Sequence, residues 1–164
     1  MLKCLRIPAL VLLVSVILPF YSPAQSYPRA IGIRFSNGEN IGFSYVERLG
    51  KKFTLEGILE GKMRAEFYKF NLMTTFHQPL LTKHFNIYYG PGIHYGFYNL
   101  PSEFKDPYGL SGLVGVELTV GRVNVAYDIK VDLNVMGGDR SMLPSTNIAL
   151  RYAFPRKKKR LFRW

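Results

Sequence analysis

Cysteine is almost missing from this chain. The one thiol, Cys4, lies in the opening residues of a 164-residue sequence. It precedes the apolar run, which is not where a lipid-modified cysteine would stand, and it leaves the rest of the chain with no disulfide staple. Histidine is nearly as scarce: His77, His84 and His94 show no metal-ligand spacing, so neither a metal nor any other cofactor is expected. His94 reads as a satisfied histidine on a polar strand face, and His77 and His84 as residues of a turn. A solenoid repeat and a sustained helical period are both lacking. So is the apolar run of about 20 residues that a spanning helix needs.

What stands at the start instead is a short export pattern. Lys3 and Arg6 precede an apolar stretch at 7–20, broken by Pro8 and Pro19, and Ser22, Pro23 and Ala24 supply small residues for cleavage. Residues 1–24 are therefore expected to be a signal peptide, with Ala24, Gln25 and Ser26 as a nearby alternative site. An exported small domain without disulfides needs another source of stability, and a closed hydrogen-bond ladder in lipid is one.

Charge of one sign is also short. Eleven acidic residues stand against 22 basic ones, a formal charge of +11. Two of the bases, Lys3 and Arg6, belong to the leader. Six more, Arg156, Lys157, Lys158, Lys159, Arg160 and Arg163, belong to the last ten residues, so the body keeps an excess of three. An excess confined to one tail of an exported chain argues against nucleic acid as a partner. The tail, 155–164, is expected to be a solvated periplasmic end. A contact with anionic lipid headgroups or an acidic periplasmic partner is its sharper reading, helped by Phe162 and Trp164.

The body itself alternates. From Val123 to Val135 every odd position is apolar and the even ones are Asn124, Ala126, Asp128, Lys130, Asp132 and Asn134. Side chains on a strand change face at every residue, so this is one long strand with a greasy and an ionic face. Weaker versions of the pattern place the other strands at 30–35, 41–46, 53–61, 66–76, 85–97, 109–120 and 145–154. Ser36-Asn37-Gly38 and Gly121-Arg122 read as tight turns. Residues 78–83 carry Pro79 and read as a break, and 98–108 as the longest loop.

Eight strands, an even count, fit an all-β fold: an eight-stranded antiparallel up-and-down transmembrane β-barrel over 25–154, followed by the basic C-terminal tail. With both termini periplasmic, the long loop falls outside and the Gly121-Arg122 turn inside. The polar face collects Gly32, Gly42, Gly90, Gly92, Gly96, Gly115, Ala126, Ala149 and Ala153. Glycine is disfavoured in strands, and a narrow lumen is a reason to keep it. The greasy face, rich in Phe and Tyr towards strand ends, would then meet lipid. The competing architecture is a soluble periplasmic lipophile-binding β-barrel with the faces inverted.

The polar face also carries Arg34, Lys69, Lys130 and Arg151 against Glu56, Glu60, Glu117, Asp128 and Asp132. Charges withdrawn from water must be paired, so a lumen salt-bridge network is expected, built on Glu117, Asp128 and Arg151 reaching past Ala126.

Three segments carry a family likeness: Tyr89-Gly90-Pro91-Gly92, the run Gly109-Leu110-Ser111-Gly112-Leu113-Val114-Gly115-Val116-Glu117, and the closing Leu150-Arg151-Tyr152-Ala153-Phe154. In these the chain resembles the small outer-membrane β-barrel domain family common in Bacteroidetes-type bacteria. The likeness covers most of the mature chain. It implies an integral outer-membrane protein whose last strand, ending in an aromatic, is read by the barrel-assembly machinery. The family usually ends near that aromatic, whereas ten residues follow Phe154 here.

Chemistry has a thinner basis. If Phe97 pairs near Leu110, His94 lies diagonal to Ser111, with an acid such as Glu60 within reach, and an outer-membrane lipid-modifying hydrolase becomes the enzymatic alternative. No oxyanion site or orienting third member is visible. The expectation is a non-catalytic protein of the cell outer membrane.

Overall fold

A computed structural model describes residues 27–50, 52–62, 67–82, 84–98 and 105–155. The expected leader, Glu66, and tail residues Arg156, Lys157, Lys158, Lys159, Arg160 and Arg163 lie outside the described residues. Eight strands follow one another: β1 Arg29–Ser36, β2 Asn40–Arg48, β3 Phe53–Lys62, β4 Phe67–Thr82, β5 Phe85–Tyr98, β6 Tyr108–Val120, β7 Val123–Met136 and β8 Met142–Phe154. Each pairs antiparallel with its sequence neighbours. The ring closes where β8 returns to β1, from Arg29 opposite Phe154 to Ser36 opposite Asn147.

Local chemistry explains the turns. Asn37 and Gly38 both adopt positive φ, 49° and 72°, and Glu39 N–H donates back to Ser36 O at 3.2 Å. That double left-handed step matches the twist of two adjoining strands, and Asn and Gly tolerate it best. At the opposite end, Gly121 at φ 62° reverses the chain between β6 and β7.

Two strands run further than their prolines suggest. The expected break at Pro79 is instead strand, because β4 continues to Thr82 and pairs with β5 through a bulge between Pro79 and Thr82. The pairing of β3 with β4 begins only at Phe53 opposite Phe76, so Pro79 sits where β4 has outrun β3 and owes no hydrogen bond on that side. Pro144 repeats the case on β8, opposite Val131 of β7 and beyond the last β1 pairing. Strand eight accordingly starts at Met142 rather than Ser145.

The two faces separate cleanly. Ile33, Phe43, Phe70, Ile93, Leu110, Val125, Ile129 and Leu150 are exposed around the outside. Arg34, Glu56, Asn71, Asn124, Asp128, Lys130, Asp132 and Asn147 are buried within. Exterior aromatics gather towards the ends. Phe53, Phe76 and Tyr89 are in successive contact near one end, with Tyr152 against Phe154, and Tyr68 stacks on Phe97 near the other. At about 3.4 Å per residue and a tilt of about 45°, the apolar face of β7 rises roughly 30 Å, the thickness of a bilayer core. The interior is no greasy pocket: its apolar members Ile58, Met73, Tyr88 and Leu113 pack with Ala126 and Ala149 as one buried cluster among the charges.

Candidate functional site

Long side chains and absent ones alternate around the lumen. Arg151 stands opposite Gly32, where an added Cβ would fall 2.5 Å from the Arg151 Cα. Asp128 stands opposite Gly115, where a Cβ would fall 2.4 Å from the Asp128 Cβ. Arg34 lies between Gly42 and Ala149. With so little beside them, these side chains extend across the barrel rather than along its wall.

The ion pairs follow that geometry. Arg34 on β1 pairs with Asp128 on β7, and its Nη1 and Nε lie 3.7 Å from Glu56 and 3.6 Å from Glu60. Arg151 on β8 donates Nη2–H to Glu56 Oε1 on β3 at 2.5 Å and Nε–H to Ser44 Oγ at 2.7 Å. Lys130 on β7 donates to Glu60 Oε1 at 3.1 Å and to Asn71 Oδ1 at 2.9 Å. Lys69 on β4 donates to Asp132 on β7 at 2.6 Å and lies 3.6 Å from Glu60. Neutral groups complete the coordination: Tyr88 Oη donates to Asp128 Oδ2 at 2.6 Å, and Asn147 Nδ2 donates to Asp128 Oδ1 at 2.8 Å.

The lumen charges named from sequence all lie inside, but the partners differ from those expected. Among the described residues no ion pair joins Glu117, Asp128 and Arg151 to one another. Register is the reason: Arg151 is opposite Asn124, whereas Ala126 is opposite Glu117. The Asn124 amide therefore stands between the two charges. It accepts from Arg151 Nη1 at 3.4 Å and donates to Glu117 Oε2 at 3.0 Å.

Glu117 has its own set of partners near the end where β1 begins and β8 finishes. His77 Nδ1 lies 3.0 Å from Oε1, Asn86 Nδ2 donates to Oε1 at 3.1 Å, and Tyr27 Oη donates to Oε2 at 2.9 Å. His77, expected in a turn, is a buried strand residue stacked on Tyr88, because β4 runs past Phe76. Its other ring nitrogen meets Thr54 Oγ1 at 3.0 Å and Thr75 Oγ1 at 3.2 Å. Tyr27, just before β1, is buried and packs with Ala30, Val46 and Ala153. Burial, reinforced by the Glu117 carboxylate, holds its hydroxyl well above the ordinary range and thus protonated. No sequence signal marks Tyr27, since Pro28 interrupts the alternation before β1.

His94 and Ser111 do meet, at 2.9 Å between Nδ1 and Oγ. The pairing is Ile93 opposite Leu110 rather than Phe97 near Leu110, and the two residues remain diagonal. Ser111 Oγ, however, donates to Asp132 Oδ1 at 2.7 Å. The second ring nitrogen of His94 meets the Asn134 amide oxygen at 2.9 Å, and Glu60 is taken up by Lys130 and Lys69. A hydroxyl whose proton is directed at a carboxylate is not being deprotonated by the imidazole beside it. Among the described residues no group of three or more His, Cys, Asp or Glu could hold a metal ion.

No protein-family model matches the chain, and no curated protein sequence matches it. Solved structures do. The outer membrane protein OprG from Pseudomonas aeruginosa aligns at 12% identity and a TM-score of 0.49, over 82% of this chain and 99% of that one. The N-terminal β-barrel domain of Pseudomonas aeruginosa OprF aligns at 10% identity and a TM-score of 0.57, over 79% of this chain and 98% of that one. In fold, then, the chain is a closed eight-stranded antiparallel β-barrel similar to the OprF barrel domain.

Proposed function

We propose that this protein is an integral β-barrel of the cell outer membrane, without catalytic activity, whose lumen is plugged by side chains and whose role is structural or one of envelope interaction. One observation carries the reading: the polarity is inside out. A water-soluble barrel would bury Ile33, Phe43, Phe70, Ile93 and Leu150, and here these residues face outward around the wall. Exposed apolar surface on that scale needs lipid or a partner to cover it.

The filled lumen is supported by the absence of solvent exposure at Arg34, Asp128, Lys130 and Asp132, whose side chains cross the interior. An eight-stranded barrel is just wide enough for side chains to fill it. The hydrogen bond from Ser111 to Asp132 speaks against a serine nucleophile. The soluble lipophile-binding alternative needs an apolar interior, and the buried charges oppose it. In this reading the β1–β2, β3–β4, β5–β6 and β7–β8 connections face outward. The chain belongs to the small outer-membrane barrel family it resembles, and the barrel-assembly machinery reads 150–154. The basic tail meets anionic headgroups or an acidic periplasmic partner.

Electrophoretic mobility tests this directly. Protein from the outer-membrane fraction should migrate differently before and after boiling in detergent, because the closed ladder survives mild detergent and not heat. A soluble periplasmic location with no mobility difference would overturn the reading.

A further inference from the structure

Outside the lumen, the leader and the tail, charge is shared unevenly between the two ends of the barrel. At the end where β1 begins and β8 finishes stand Arg29, Arg48, Lys51, Lys52, Lys83 and Arg122, against the single acid Glu47. The other end holds Lys62, Arg64, Lys105 and Arg140 against Glu39, Glu66, Glu103, Asp106 and Asp139. One rim is therefore strongly basic and the other slightly acidic. The tail continues from the basic end and adds six more bases with no acid.

These rim bases are spread around the circumference. Arg48 ends β2, Lys51 and Lys52 follow it, Lys83 joins β4 to β5, Arg122 joins β6 to β7, and Arg29 opens β1. Each of the three connections at this end thus carries at least one base. The lone acid is already engaged: Arg29 donates Nε–H to Glu47 Oε1 at 2.9 Å, and Tyr45 Oη donates to Oε2 at 2.8 Å. Arg122 is held on the outer wall, where its Nη1–H donates to Tyr152 Oη at 3.1 Å. Tyr152 packs against Phe154, and Phe53 and Phe76 stand in contact on the same outer face. Leu49, in the β2–β3 turn, is 60% exposed.

We propose that this rim is a contact surface for the headgroups of anionic phospholipid in the leaflet that surrounds it. The inference rests on the membrane reading above. Aromatic side chains mark the boundary of the apolar band, and Lys and Arg beside them lay their stems on the wall and keep their charges at headgroup level. Guanidinium groups match phosphate oxygens in pairs. A ring of bases meets a headgroup layer all the way round, whereas an acidic protein would cover one side and leave the rest without a partner. Set at the edge of the wall, the rim reaches only the leaflet around its own barrel, so capture of separate vesicles is left to the tail.

The test is ¹H–¹⁵N NMR of the mature full-length chain in phosphatidylcholine nanodiscs carrying rising fractions of phosphatidylglycerol. The amides of Arg48, Gly50, Lys52, Gly121 and Arg122 should shift saturably, while those of Asn37, Gly38, Gly138 and Arg140 stay in place. A basic residue near an anionic surface is worth about fivefold in binding. The triple variant Arg48→Gln, Lys52→Gln, Arg122→Gln, with its tail intact, should therefore lose most of the response. Should it fail to fold, Arg122→Gln alone should raise the half-saturating fraction about fivefold. Equal shifts at both ends overturn the proposal, as does a native response in the variants. So does the same response to inorganic phosphate in plain phosphatidylcholine discs, or to polyglutamate with none to phosphatidylglycerol. A chain that never enters the discs and shows no heat-dependent mobility overturns the membrane reading with it. Insertion without end-specific shifts overturns this inference alone.

Discussion

Arg151→Met removes one lumen cation while keeping most of its side-chain volume. In the native barrel Arg151 donates to Glu56, to Ser44 and, at 3.4 Å, to Asn124. Without it, Glu56 retains Arg34 at 3.7 Å, which already faces Asp128 and Glu60. The lumen's permanent charges are Arg34, Lys69, Lys130 and Arg151 against Glu56, Glu60, Glu117, Asp128 and Asp132, four against five. The substitution leaves three against five. Orphaning one member of a buried pair costs about 3–5 kcal/mol, and the lost bonds to Ser44 and Asn124 place the expected effect inside that range. A compensating Glu56→Met should restore the double variant to within about 1–2 kcal/mol of the native barrel, because both charges are then gone. Urea titration in detergent micelles, following the folded band on unboiled gels, gives the free energies. A single-variant cost below about 1 kcal/mol, or a double variant no more stable than the single, would refute the cross-lumen pairing.

Ile129→Arg tests the outer face, since Ile129 is 48% exposed at mid-β7. In lipid it should cost about 2–4 kcal/mol of folding free energy in vesicles, whereas an exposed site in water would change by about 0.5 kcal/mol or less. A near-neutral result would remove the lipid-facing assignment. A fluorophosphonate probe should leave Ser111 unlabelled in the folded protein, as read by mass spectrometry, and covalent labelling there would sink the non-catalytic reading. Deleting residues 155–164 should preserve the mobility shift while abolishing retention on anionic vesicles or co-purification of an envelope protein. Unchanged retention and unchanged co-purification would dismiss the tail as a contact element.

Period-two alternation makes a strand legible because it is a local property, and it made β7 legible almost to the residue. The lumen residues were legible for the same reason: parity alone puts Arg34, Lys130 and Arg151 on one face with the glycines. Parity says nothing about which of them touch. Reading Glu117, Asp128 and Arg151 as partners assumed that neighbouring strands supply neighbouring charges. Register sets Asn124 beside Arg151, and the small residues beside Arg34 and Arg151 send those side chains to β7 and β3. Strand ends failed for a related cause. A proline interrupts a strand only where the neighbour on its N–H side is there to demand the missing donor, and whether β3 reaches Pro79 or β1 reaches Pro144 depends on the lengths of other strands. The 580 Å³ cavity beside the β1–β2 hairpin, lined by Asn37, Asn40, Phe67 and Tyr98, belongs to this class of property. It exists because a short hairpin stands beside a longer strand, a difference in rim height that no single segment encodes. Lengthening β1 and β2 to meet β8 should therefore close it without disturbing any lumen ion pair.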